Sequence, residues 1–127
     1  MGLKGWKAMT KHELENRIVK FAARCVKACG ALPQKRIGCS SFADQLFRAS
    51  TSIAANYAEE AEAESRKDFI HKLKIAMKEL SETRVWLKTI GESEYVQISK
   101  LGPLINEAEE LSRILAASVI TARGRRD

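Results

Sequence analysis

The most regular part of this sequence is SRKDFIHKLKIAMKELSETRVWLKTIG, residues 65–91. Its apolar positions recur in alternating steps of four and three, a spacing that places them on one face of an α-helix. These positions are Phe69, Leu73, Ala76, Leu80, Thr83, Leu87 and Ile90. Ser65 suits the N-cap, Asp68 suits the first turn, and Gly91 is a typical stop. The stretch therefore predicts a long amphipathic helix from Ser65 to Gly91.

Three other segments show the same spacing and predict three more helices. The first should end where Leu32 precedes Pro33, because a residue before proline disfavours helical geometry. The second should begin at an N-cap formed by Ser40 or Ser41, and the fourth at Ser93. A bend or restart is expected in the fourth helix at Gly102 and Pro103. The inward positions are Leu14, Ile18, Phe21, Cys25, Ala28 and Leu32, then Phe42, Leu46, Ala49, Ile53 and Tyr57, then Leu101, Leu104, Ala108, Leu111 and Leu115.

Four long helices with short connections must run antiparallel to their neighbours. The four-and-three spacing of their apolar positions favours shallow crossing angles of about 20°. The chain has 127 residues, enough for one domain, and its 7 Gly and 2 Pro are too few for a β-sandwich or barrel. The predicted fold is all-α, an antiparallel up-down-up-down four-helix bundle over residues 11–122. Residues 1–10 should form a flexible N-terminal segment and residues 123–127 a basic flexible tail.

Composition limits the class of protein further. The three cysteines, Cys25, Cys29 and Cys39, form no regular disulfide framework, which favours a reducing cytoplasm. No apolar run approaches the roughly 18 residues of a membrane span, so neither export nor a membrane partner is expected. The 22 basic and 16 acidic side chains give a net charge of +6, which favours a polyanionic partner.

The predicted second helix carries polar side chains beside its apolar face. Gln45, Arg48, Ser52, Asn56 and Glu59 fall on one side of the helix, and we call this set, with Glu82 of the next helix, the polar ridge. Such residues usually hydrogen-bond across helices and fix their register. In an oligomer they could instead face a neighbouring subunit, with Arg48 paired to Glu59 or Glu82. A contact between Arg48 and RNA is a third reading.

The pattern Gln45-x-x-Arg48-Ala49-x-x-Ser52-Ile53-x-x-Asn56-x-Ala58-Glu59 resembles the signature of the 23S rRNA intervening-sequence proteins. The resemblance covers about residues 13–120 and departs at Glu60, where that family usually has Gly, and at Glu79, where it usually has a small Ser. It implies a bacterial four-helix bundle, a ring-like homo-oligomer that is commonly a pentamer, and an association with nucleic acid. A related branch, the accessory proteins of diversity-generating retroelements, resembles a basic pentameric bundle that assists reverse transcription of RNA.

The basic side chains cluster on two predicted helix faces and on the tail. The first helix carries Arg17, Lys20, Arg24 and Lys27; the third carries Lys67, His71, Lys74 and Lys78; the tail carries Arg123, Arg125 and Arg126. Both helix faces should point to solvent, and either could follow a phosphate backbone or be ordinary solvated surface. Aromatic residues are too scattered for a single-strand stacking platform, so the expected mode is backbone contact to structured RNA or to a duplex. Of the two nucleic acids, RNA is the expected partner rather than DNA.

Enzyme chemistry has little support in the sequence. Arg66-x4-His71 resembles the catalytic motif of the helical HEPN ribonucleases, in which Arg66, Asp68 and His71 would act with His71 as general base. Cys25 and Cys29 lie one turn apart, and a zinc site would also require Cys39 and His12 to converge on them. We expect no enzyme activity, metal, cofactor or small-molecule substrate. The predicted function is RNA binding by a homo-oligomeric bundle; the alternative is an oligomeric protein scaffold that does not bind nucleic acid.

Overall fold

A computed structural model of the protein describes residues 9–60 and 65–124, apart from the side chains of residues 59 and 60. It contains four helices: α1 Lys11–Gly30, α2 Cys39–Glu60, α3 Arg66–Glu92 and α4 Ile98–Gly124. Each helix packs on the next along the chain, and α1 packs less extensively on α4. The predicted all-α four-helix bundle is confirmed. No helix in the described part of the chain is long and apolar enough to cross a membrane.

The core contains most of the inward positions that the spacing predicts; Ala28, Phe42 and Phe69 are half-buried against it. It also contains residues outside that spacing, among them Cys39, Val96, Ile114 and Val119. On α3 the side chains of Leu73, Leu80 and Leu87 are fully buried, as are Ile18 on α1 and Leu46 on α2. Burying one such side chain contributes about 1.5–3 kcal/mol. The hydroxyl of the buried Thr83 donates to the carbonyl of Glu79 at 2.8 Å, so this polar group is satisfied.

Two helix starts are set by side-chain caps. Ser65 Oγ accepts a hydrogen bond from the Asp68 backbone N–H, as predicted. Thr10 and Glu13 form a capping box at the start of α1: Thr10 Oγ1 accepts from the Glu13 N–H, and Glu13 accepts from the Thr10 N–H. These bonds hold the pKa of Glu13 below its usual range. The Thr-x-x-Glu spacing was a readable start signal at the N-terminal boundary of the bundle.

Several predicted helix boundaries are wrong. The first helix ends at Gly30, two residues before Leu32. The second begins at Cys39, preceding both candidate caps; Gly38 has a φ of +78°, and its carbonyl accepts the Phe42 N–H.

Ser93 does not cap the fourth helix; it is the C-cap of α3, and α4 begins five residues later at Ile98. The intervening segment is held by tertiary contacts: the Tyr95 hydroxyl donates to the Ile37 carbonyl at 2.9 Å, and Val96 is buried. Helix α4 continues through Pro103 without a restart and extends to Gly124, so Arg123 is helical. Residues 1–8 and 125–127 lie outside the described residues, and the expected flexibility of the two ends stays a prediction.

Candidate nucleic-acid interface

Three basic residues form an exposed row on α1. Lys20, Arg24 and Lys27 are exposed, and none makes an ion pair with any residue in the described ranges. Their spacing of four and three keeps them on one side of the helix over about 10 Å, at 1.5 Å rise per residue. We call these three residues the α1 ridge. Its charges are available to a polyanion.

Arg17 does not belong with the α1 ridge, although the sequence placed it there. Its Nε and Nη2 atoms donate to the two carboxylate oxygens of Glu107 at 2.7 and 2.8 Å, a bidentate ion pair between α1 and α4. This hydrogen bonding raises the pKa of Arg17. The expectation that the whole row faces solvent is therefore wrong for Arg17, whose side chain is 30% exposed. Its charge is matched within the bundle.

A second basic row lies on α3, opposite the buried leucines. Lys67, Lys74 and Lys78 are exposed, as is His71 between them. None of the three lysines forms an ion pair with a residue that the structure describes. We call them the α3 ridge. Arg123 is exposed in the last turn of α4, whereas Arg125 and Arg126 lie outside the described residues.

Part of the polar ridge forms an interhelical network, centred on Arg48. The Arg48 guanidinium contacts Glu82 of α3, and its Nη1 atom lies 3.3 Å from Glu79 Oε1. Gln45 accepts from the same guanidinium at 3.3 Å, and Trp86 Nε1 donates to Glu82 at 3.1 Å. Arg48 thus pairs with Glu82 within one subunit, whereas the sequence offers the pairing with Glu59 or Glu82 for a ridge that faces a neighbouring subunit, and Glu79 adds a second carboxylate. The side chain of Glu59 lies outside the described residues.

Two other members of the polar ridge, Ser52 and Asn56, bond within their own helix. Ser52 Oγ donates to the Arg48 carbonyl at 2.7 Å, and Asn56 Nδ2 donates to the Ser52 carbonyl at 2.9 Å. Both bonds stay within α2 because each acceptor lies one turn earlier on the same helix. The cross-helix reading of the ridge is thus wrong for Ser52 and Asn56. Among the described ridge residues of α2, Arg48 is the one that bonds to α3.

Glu82 should make the stability of the bundle depend on acidic pH. Hydrogen bonds from Arg48 and Trp86 hold the pKa of Glu82 below its usual range. The carboxylate therefore stabilises the fold above the usual glutamate pKa of about 4.3, and this contribution is lost as the pH falls through the lower folded value. Thermal melts of wild type and Glu82→Gln from pH 6 to pH 3 should show a difference in Tm that narrows on acidification. A constant difference would contradict this assignment.

An exposed apolar surface, which the sequence reading missed, crosses α1 and α2. Val19 is 48% exposed, Val26 37% and Phe47 51%. The Cys29 thiol on α1 contacts the Ala43 carbonyl on α2 at 3.5 Å. Val26 lies one turn before Cys29, and Phe47 lies one turn after Ala43. Because the two helices are antiparallel, both residues lie on the same side of that contact. The available signal was the seven-residue interval between Val19 and Val26. We call Val19, Val26 and Phe47 the apolar stripe.

The cysteines lie in the core rather than in a metal site. Among the described residues, no three His, Cys, Asp or Glu side chains are placed to hold a metal ion. Cys25 and Cys39 are buried and Cys29 is half-buried, all three as free thiols. Burial raises the pKa of Cys25 to about 12.

Cys25 should resist thiol reagents in the folded protein, because the thiolate is the reactive form. Mass spectrometry after brief alkylation at pH 8 should find Cys25 unmodified in the native state and fully modified in denaturant. Equal labelling rates in the two states would contradict the buried position.

The residues of the ribonuclease-like motif lie in the first two turns of α3. His71 is exposed, and Asp68 is half-buried in the first turn of α3, where its N–H is bonded to Ser65. Arg66 is half-buried at the helix start.

The described residues form a helical bundle with two exposed basic ridges. Residues 10–117 match the family model described as the 23S rRNA-intervening sequence protein. The chain belongs to this family, which confirms the resemblance read from the α2 motif.

Comparison with solved structures gives a similar protein of unknown function from the S23 ribosomal protein family of Bacteroides thetaiotaomicron. The two sequences are 33% identical, and the match covers 84% of this chain and 97% of that chain with a TM-score of 0.77. No curated protein matches this chain.

Proposed function

We propose that this protein is a non-catalytic, ring-like homo-oligomer of the bacterial cytoplasm that binds structured RNA through its basic helix faces. The observation that carries the proposal is the α1 ridge: three exposed cations in one row, none of them matched by a described acid. Glu107 pairs with the neighbouring Arg17 and not with the three cations of the α1 ridge. Phosphate contact and counterion release would supply the affinity.

Structured RNA is the favoured nucleic acid because, among the described residues, the ridges have no exposed aromatic partner for unstacked bases. Of the aromatic residues, Trp86 is bonded to Glu82, while Phe42 packs between Trp86 and Tyr95 at ring-centroid distances of 5.9 and 6.1 Å. Phe47 is exposed, but it lies on the α1–α2 face. Recognition of shape and backbone suits such a surface.

The apolar stripe supports self-association. An exposed apolar surface on two adjacent helices is typical of a protein contact site. It lies on the side of α1 where Cys29 contacts α2. Arg17, which pairs with Glu107 of α4, is one turn from Lys20, and this spacing places the α1 ridge away from the apolar stripe. Subunits in contact through the apolar stripe would leave the α1 ridges accessible, and a ring would repeat them around its edge.

Disrupting the apolar stripe should break the oligomer without unfolding the subunit. Phe47→Glu places a charge in the stripe, where a contacting subunit would bury it, and burial of an unpaired charge is costly. Sedimentation velocity should show a multimer for wild type and a subunit of about 14.2 kDa for the variant. A variant that stays multimeric would place the contact elsewhere. Val85→Glu, at another exposed apolar position, is the control and should leave the mass unchanged.

The RNA half of the proposal has its own test. A fluorescently labelled RNA hairpin titrated with the protein at low salt should show saturable binding in fluorescence anisotropy. A multimer that binds no hairpin at low salt would support the scaffold reading instead.

A further inference from the structure

One open cavity lies at the end of the bundle where α3 begins and α4 ends. Its volume is about 460 Å³, and its described lining is Ser65, Arg66, Lys67, Ile70 and Arg123. Residues that lie more than fifty positions apart in the sequence thus bring cationic side chains to one concave site. Of the two ridges, only Lys67 of the α3 ridge lines the cavity; Lys74, Lys78 and the α1 ridge do not.

The lining has the chemistry of an anion site. Three of its five residues are cationic, and no acidic side chain of the described residues lines it. Asp68 is near in sequence but does not line the cavity. Lys67 and Arg123 are exposed and form no ion pair with described residues. Guanidinium groups bind phosphate oxygens through paired hydrogen bonds, and an ammonium adds a point charge.

We propose that this cavity binds the terminal phosphate of an RNA strand; the inference rests on the proposed RNA-binding function. A convex ridge contacts internal phosphodiesters, each with one negative charge and a sugar on both sides. A terminal phosphate has one sugar, carries up to two negative charges, and can enter a concave site. The cavity therefore distinguishes an end of the strand from its middle, which a row of lysines on a helix does not.

The test compares two hairpin RNAs of one sequence, labelled at the 3′ end, with either a 5′-phosphate or a 5′-hydroxyl. Wild type should bind the 5′-phosphorylated hairpin about tenfold more tightly, the gain expected for one added charge-assisted contact. Lys67→Gln with Arg123→Gln should abolish this preference. Lys35→Gln with Lys100→Gln is the matched control, because it removes the same charge from exposed positions at the other end of the bundle and should retain the preference.

The outcomes separate this inference from the proposed function. Equal affinity of wild type for both hairpins would overturn the terminal-phosphate site while leaving RNA binding intact. If neither hairpin binds, the proposed function fails, and an NMR titration with inorganic phosphate alone then tests the site. Amide NMR shifts confined to residues around Lys67 and Arg123 would support a phosphate site without RNA, and no shifts would overturn it.

Discussion

Reversing two charges of the α1 ridge, Lys20→Glu with Lys27→Glu, should weaken binding of an RNA hairpin about 100-fold at low salt. Each reversal removes an attraction to phosphate and adds a repulsion, and a loss of about 1.4 kcal/mol per site is tenfold in affinity. Both side chains are exposed and make no ion pair with described residues, so the fold should persist. Fluorescence anisotropy measures the affinity, and circular dichroism checks the fold.

The matched control is Lys35→Glu with Lys100→Glu, which changes the net charge equally on another part of the surface. It should weaken binding only slightly, because the long-range field changes while no proposed contact is lost. If the two double variants bind RNA equally, net charge alone governs affinity and the α1 ridge is not a site. Arg17 is excluded from the test, since reversing its charge would also break the pair with Glu107.

Leu80→Ala should have the largest effect on stability, lowering the free energy of unfolding by about 2–5 kcal/mol. Leu80 is fully buried at the middle of α3, the helix that packs on both α2 and α4. Truncation removes apolar contacts and leaves a cavity between three helices. Urea denaturation followed by circular dichroism measures the loss.

The companion variant is Val85→Ala on the same helix, where the side chain is 53% exposed. An exposed substitution of this kind should change the free energy of unfolding by about 0.5 kcal/mol or less. A loss for Leu80→Ala no larger than that for Val85→Ala would contradict the packing of α3. The comparison isolates burial, because both changes leave alanine in the middle of one helix.

The buried positions were predictable because a helix must bury one face at a fixed period, and the period is visible in the sequence. The connections were less predictable. Ser93 suits an N-cap by residue type, yet it closes α3, because Tyr95 bonds to Ile37 and Val96 enters the core before α4 begins. A contact across 58 residues leaves no local signal at Ser93.

On the surface, too, some contacts could be predicted from the residue types, and others depend on residues far away in the sequence. Arg17 and Lys20 look equivalent by spacing, and only Glu107, ninety residues away, distinguishes the paired cation from the exposed one. The link between Arg48 and Glu82 was readable from residue types on adjacent helices. The back-bonding of Ser52 was not, since a serine beside an apolar face suits either a neighbouring helix or its own preceding turn.

The most direct test of RNA binding through phosphate contact is the salt dependence of the affinity of wild type for a hairpin RNA, with the oligomer mass followed in the same buffers. A protein that neutralises several phosphates should give a linear plot of log affinity against log salt, with a slope near −0.9 for each contact on a duplex. We predict a slope of about −3 or steeper, equivalent to at least the three cations of one α1 ridge, at constant oligomer mass. A slope near zero would contradict the account.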